Sequence, residues 1–119
     1  MKFSESLKKN MDFQNIYKTG TSYANKYLVM YVLENGTQRN RLGISVSKKV
    51  GNSVVRHRIT RLVRESYRLQ EDVFNNGLDI VIIARATAKN KKYKDIESAL
   101  LHLGGLHKIV THQFEKKME

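Results

Sequence analysis

Residues 39–68 read RNRLGISVSKKVGNSVVRHRITRLVRESYR, and two periodicities meet inside them. From Arg41 to Ser47, apolar Leu42, Ile44 and Val46 alternate with small or polar neighbours. That is the period-two pattern of a strand with one wet face. After Gly51 the period lengthens. Over roughly 53–73, Val55, Ile59, Leu62, Val63, Ser66 and Leu69 fall on one side of a helix at 100° per residue. His57, Arg61, Arg64 and Arg68 step by four, three and four into a stripe nearly opposite, flanked by Arg56 and Arg58. Asn52 or Ser53 is placed to cap this helix. One face packs, and the other presents a row of guanidinium groups.

Working outward, Leu78 to Arg85 is an unbroken apolar run, which predicts a strand buried on both faces. Strand–helix–strand from residue 45 to 84 can bring its two strands parallel in one sheet. Upstream, Tyr27 to Leu33 (YLVMYVL) is a strand by composition. Glu34-Asn35-Gly36 then supplies a turn, so a hairpin between residues 27–33 and 41–47 is expected. Phe13, Ile16 and Tyr17 recur at i, i+3, i+4 within a first helix near residues 10–18, which Gly20 stops. A basic loop, AKNKKYK at 88–94, leads to a last helix near 94–108 with Ile96, Leu100, Leu103 and Leu106 or His107 on one side. The expected order is αβββαβα or a near variant: an α+β fold, an α/β sandwich of helices against a small sheet.

Charge narrows the function classes. The chain has 119 residues, the size of a single domain, and a net charge of +11. Residues 39–68 hold nine cations (Arg39, Arg41, Lys48, Lys49, Arg56, Arg58, Arg61, Arg64, Arg68) and one anion, Glu65. Like charges along one helix repel unless a polyanion relieves them. There is no cysteine, hence no disulfide and no thiolate metal site. No apolar run reaches the length of a membrane span and the N-terminus has no signal-peptide pattern, so a cytoplasmic protein with no membrane partner is expected.

Catalytic signals are missing. The acidic residues are scattered, and no pair has two-metal spacing. His102, His107 and His112 are spaced by five, which rotates each 140° from the last on a helix, so no metal site is expected. Gly51-Asn52-Ser53 is not a Walker loop. Even so, amides at a helix N-terminus attract phosphate, and Lys48 and Lys49 stand just upstream. The aromatics Phe13, Tyr17 and Tyr31 fit either a core or a platform on which unpaired bases stack.

At Gly43 to Arg68 the pattern becomes specific. A strand ending Ser-Lys-Lys, a Gly-Asn turn, and a helix opening Arg-His-Arg and continuing Arg-Leu-Val-Arg closely resemble the signature of the bacterial ribonuclease P protein subunit. Asp12-Phe13-Gln14, Tyr17-Lys18-x-Gly20 and Asp79 to Arg85 (DIVIIAR) extend the resemblance over roughly residues 10 to 105. That leaves about 1–9 and 110–119 as tails, with mobility expected there. One position departs: His57 stands where the family typically has Asn. Both donate and accept hydrogen bonds, but imidazole is bulkier and can titrate.

The resemblance implies a ribosomal-protein-S5-like αβββαβα fold with a left-handed βαβ crossover, against the general right-handed rule. It implies a subunit that joins a catalytic RNA to remove the 5′ leader of precursor tRNA. The RNA holds Mg2+ and performs the chemistry, so no catalytic residue is expected in the protein, and no obligate protein partner. Lys48, Lys49, Arg56, His57, Arg58, Arg61, Arg64 and Arg68 would contact that RNA. Phe13, Tyr17, Val29 and Tyr31, with Lys49 at the edge, would line a cleft for the single-stranded leader. The competing classes are a structural RNA-binding protein such as a ribosomal component, a protein-only nuclease, and a DNA-binding repressor. The last lacks a second helix at helix-turn-helix spacing.

Overall fold

The computed structural model describes residues 4–111. Its strands are β1 (Ser4–Ser6), β2 (Thr21–Ala24), β3 (Leu28–Glu34), β4 (Asn40–Ser45) and β5 (Leu78–Ala84). Its α-helices are α1 (Asn10–Thr19), α2 (Ser53–Leu69) and α3 (Tyr93–Leu106), with 3₁₀ turns at Glu71–Val73 and Ala86–Ala88. The five strands form one sheet in the order β1-β4-β5-β3-β2. Ser4–Ser6 and Val110, which bridges Phe74, bring part of each expected tail into ordered structure. Residues 112–119 of the expected tail, His112 among them, lie outside the described residues.

The sheet corrects the expected hairpin. β3 and β4 are not paired; β5 lies between them, parallel to β4 and antiparallel to β3. The reason is burial. Ile80 and Ile82 point to one face, Val81 to the other, and all three are fully inaccessible. A strand that is apolar on both sides gains most at the centre. The Asn35-Gly36 turn is present but serves a different purpose. Asn35 Oδ1 accepts from the Thr37 amide (2.9 Å), and the Asn35 amide donates to the Gly77 carbonyl (2.9 Å). Gly36 and Gly77 take φ of 72° and 80°, conformations that favour glycine. The loop therefore steps over a whole strand instead of closing a two-residue turn.

The crossover β4–α2–β5 is left-handed. The Leu42 carbonyl accepts from the Leu7 amide on the β1 side (2.8 Å), while its side chain packs with Ile59 and Val63 of α2. For L-residues this puts β1 to the right of β4, seen from α2 with β4 running upward. β5 then lies to the left, and a connection passing in front toward the left is left-handed.

α2 and α3 cover one face. Ile59, Val63 and Tyr67 meet Leu42, Ile80, Ile82, Ile96, Leu100 and Leu103. The α2 face is rotated from the expected one: Tyr67 is fully buried while Leu69 is 51% exposed. Tyr67 holds a polar knot. Its hydroxyl bonds Ser4 Oγ (2.7 Å) and accepts from Asn40 Nδ2 (3.2 Å), and Asn40 Oδ1 accepts from the Leu78 amide (2.9 Å). The knot joins β1, β4, β5 and α2. Tyr67→Phe is expected to cost about 1–2 kcal/mol, because Ser4 and Asn40 lose a buried partner; denaturant unfolding measures it.

Candidate nucleic-acid interface

α1 crosses the opposite face of the sheet and covers only part of it. Strand register fixes what it meets. Gly43, Val81 and Tyr31 form one cross-strand row; Ser45, Ile83 and Val29 form the next. Ile16 is fully buried over Val81. A Cβ on Gly43 would come within 2.6 Å of the Phe13 ring, so the ring lies directly on that backbone. Tyr17 meets Tyr31 edge-on at 5.1 Å between centroids and lies 6.4 Å from Phe13. The Tyr17 hydroxyl shares a hydrogen bond with the Ser45 side chain; burial raises its pKa and that bond works against the rise. The Ser45–Ile83–Val29 row is left half-exposed. The strip of sheet that α1 leaves uncovered, where the cleft is expected, has aliphatic side chains on its floor and aromatic rings along one side. Phe13, Tyr17, Val29 and Tyr31 come together there, joined by Ser45 and Ile83.

Ser45 and Ile83 escape sequence reading because their place in the cleft depends on pairing between distant strands. The available signal is the wet side of the residue 41–47 alternation, which contains Ser45.

Lys48 and Lys49 lie exposed in the turn between the end of β4 and α2, three and four residues after Ser45. Asn52 caps α2, its Oδ1 accepting from the Val55 amide (3.0 Å). His57, Arg61, Arg64 and Arg68 form the exposed stripe, with Glu65 beside it. The arginines are not equivalent. Arg68 makes a two-nitrogen contact with Glu65. Arg58 donates to the carbonyls of Lys91 (2.7 Å) and Lys89 (3.4 Å), bracing the basic loop. Arg56 is half-buried. Arg61 and Arg64 make no ion pair among the described residues, so they are the guanidinium groups most available to an anion.

Behind the cleft, Asp79 is buried against Arg41. Burial alone would raise its pKa, but the bonds from Arg41 and Asn35 outweigh this and hold the carboxyl below the ordinary range. A carboxylate whose folded pKa is depressed stabilises the fold above its unfolded value, about 3.9, and loses that contribution as pH falls toward the folded value. Acid unfolding should therefore steepen below about pH 4. Asp79→Asn should flatten that limb in a pH series of unfolding free energies.

Among the described residues no three His, Asp or Glu side chains gather as a metal site requires. His102 lies 3.2 Å from Asn25 Nδ2, whereas His107 Nε2 bonds the Met30 carbonyl (2.9 Å). No helix among these residues is long and apolar enough to cross a membrane.

Known proteins resemble this chain in sequence and in fold. The ribonuclease P family model matches residues 1–108. A ribonuclease P protein component from Lachnoclostridium phytofermentans is 67% identical over 108 residues, covering 91% of this chain and 93% of that protein. One from Alkaliphilus metalliredigens is 51% identical, covering 93% and 100%. The Staphylococcus aureus RNase P protein structure superposes with a TM-score of 0.83 at 40% identity, covering 91% of this chain and 99% of that one. The Thermotoga maritima RNase P protein gives 0.78 at 35%, covering 83% and 94%. With its signature helix, its left-handed crossover and these likenesses along nearly its whole length, the chain belongs to the ribonuclease P protein family.

Proposed function

We propose that this subunit of ribonuclease P, a ribonucleoprotein of tRNA 5′ processing, divides its work between two surfaces. The outer stripe of α2 binds the catalytic RNA through its phosphates. Lys48, Lys49, Arg56, His57, Arg58, Arg61, Arg64 and Arg68 form that surface, with Arg61 and Arg64 the principal ligands. The cleft of Phe13, Tyr17, Val29 and Tyr31, bordered by Lys49, receives the single-stranded 5′ leader of precursor tRNA. Its half-exposed aromatic rings suit base stacking without sequence readout. The observation that carries this division is the position of Lys48 and Lys49. One short turn joins the cleft floor to the helix, so a strand in the cleft lies beside the RNA bound by the stripe.

Mg2+ is assigned to the RNA of the holoenzyme and the cleavage step with it. The protein's Asp12 and Asp79 are both engaged by Arg41. The protein's contribution is binding and orientation of the substrate, in the cytoplasm.

Sequencing the RNA that co-purifies with the protein tests the partner. A single species of a few hundred nucleotides that cleaves precursor tRNA is expected. Ribosomal RNA in its place would support a structural ribosomal role.

A further inference from the structure

The placement of α1 over the sheet depends on a joint outside both binding surfaces. Arg41 sits on the α1 face of β4, two residues before Gly43. Its guanidinium grips Asp79 as a fork: Nε donates to Oδ1 (2.8 Å) and Nη2 to Oδ2 (2.6 Å). Asp79 is 3% exposed and also accepts from Asn35 Nδ2 (3.0 Å), so its carboxylate is fixed by three donors. A fork of this kind sets the orientation of the whole guanidinium plane. Its remaining nitrogen, Nη1, therefore points in one direction, and there it meets Asp12 Oδ2 in the first turn of α1 (3.4 Å). Asp12 is the neighbour of Phe13. One side chain thus ties the central strand of the sheet to the residue beside the aromatic wall.

Its charge environment argues against an RNA contact. Two carboxylates surround one guanidinium, making a locally negative spot in a chain of net charge +11. An incoming phosphate would meet repulsion there.

We infer that Arg41 is a positioning residue for the cleft: its fork on Asp79 and its arm to Asp12 hold α1 where Phe13 lies on Gly43 and Tyr17 meets Tyr31 and Ser45. This rests on the cleft reading above. It sets the width of the cleft from behind, independently of the arginine stripe.

Arg41→Lys tests it, because lysine keeps the charge but cannot form the fork. The complete protein is measured alone and assembled with its catalytic RNA. In the free protein, the Tyr17 and Tyr31 ring resonances should move, since their edge-on contact generates mutual ring-current shifts. In the holoenzyme, the preference for precursor tRNA over mature tRNA should fall about threefold to tenfold, the range for loss of one partly buried polar anchor. The salt slope for catalytic-RNA binding should not change. Asp12→Asn, which leaves the Asp79 fork intact, should move the same resonances with little change in thermal midpoint, and keeps the test open if Arg41→Lys folds poorly. Unmoved ring resonances in both variants overturn the inference. So does a reduced salt slope in Arg41→Gln, which would make Arg41 a phosphate ligand. If wild-type holoenzyme shows no precursor preference, the cleft reading itself falls, and the ring resonances still decide the positioning role.

Discussion

Replacing Arg61 and Arg64 together by alanine weakens binding to the catalytic RNA on the order of 10²-fold, the sum of two charge-assisted phosphate interactions. The plot of log affinity against log salt flattens by roughly 0.7–0.9 units for each phosphate no longer neutralised. These two residues carry the largest effect because neither has an ion-pair partner in the protein among the described residues. Arg68 must first leave Glu65, and Arg58 must release the Lys89 and Lys91 carbonyls. Arg68→Ala should therefore change the slope less. Arg58→Ala should act chiefly by loosening the basic loop. Titrations at several salt concentrations separate these cases, and an unchanged slope in the double variant removes Arg61 and Arg64 from the interface.

Gly43→Ala is expected to damage the cleft while sparing the stripe. The added methyl would sit 2.6 Å from two Phe13 ring carbons and 3.2 Å from Leu7 Cβ. Phe13 must rotate or α1 must lift, and overpacking of this kind costs about 1–3 kcal/mol. The thermal midpoint should drop. The preference for precursor over mature tRNA should decline roughly tenfold or more, since stacking contributes about 1–3 kcal/mol per base. Catalytic-RNA affinity at the stripe should stay within about twofold, because the two surfaces share no side chain of α2. Equal reductions for precursor and mature tRNA would place the leader elsewhere.

The most legible part of this protein is α2. Its basic stripe and the buried Ile59, Val63 and Ser66 are written at helical spacing, and the Asn52 cap is local, so none of these needs knowledge of distant partners; the burial of Tyr67 in place of Leu69 does, since Ser4 and Asn40 hold its hydroxyl. β5 is legible as a buried strand for the same reason. What it separates is not. The apolar alternation of β3 and β4 satisfies direct pairing as well as it satisfies an intervening strand, and only the long-range competition for the centre decides. β1 and β2 leave almost no apolar signal because edge strands have one neighbour and water on the other side. The handedness of β4–α2–β5 follows from the family resemblance and runs against the general rule.

The site shows the same division. Helical phasing finds the arginine stripe but does not show that Arg58 and Arg68 have protein partners, since those partners lie in a loop and on the helix flank. Phe13, Tyr17 and Tyr31 are visible as aromatics whose exposure the sequence leaves open. Their convergence depends on the register of β3 against β5 and on Gly43 admitting the Phe13 ring.

The central claim is that the protein lends binding to a catalytic RNA. Cleavage of precursor tRNA by that RNA, measured at low Mg2+ with and without the protein, tests it most directly. Stimulation of leader removal by the protein, with no cleavage by the protein alone, is the predicted result. Absence of stimulation, or magnesium-dependent cleavage by the isolated protein, would contradict it.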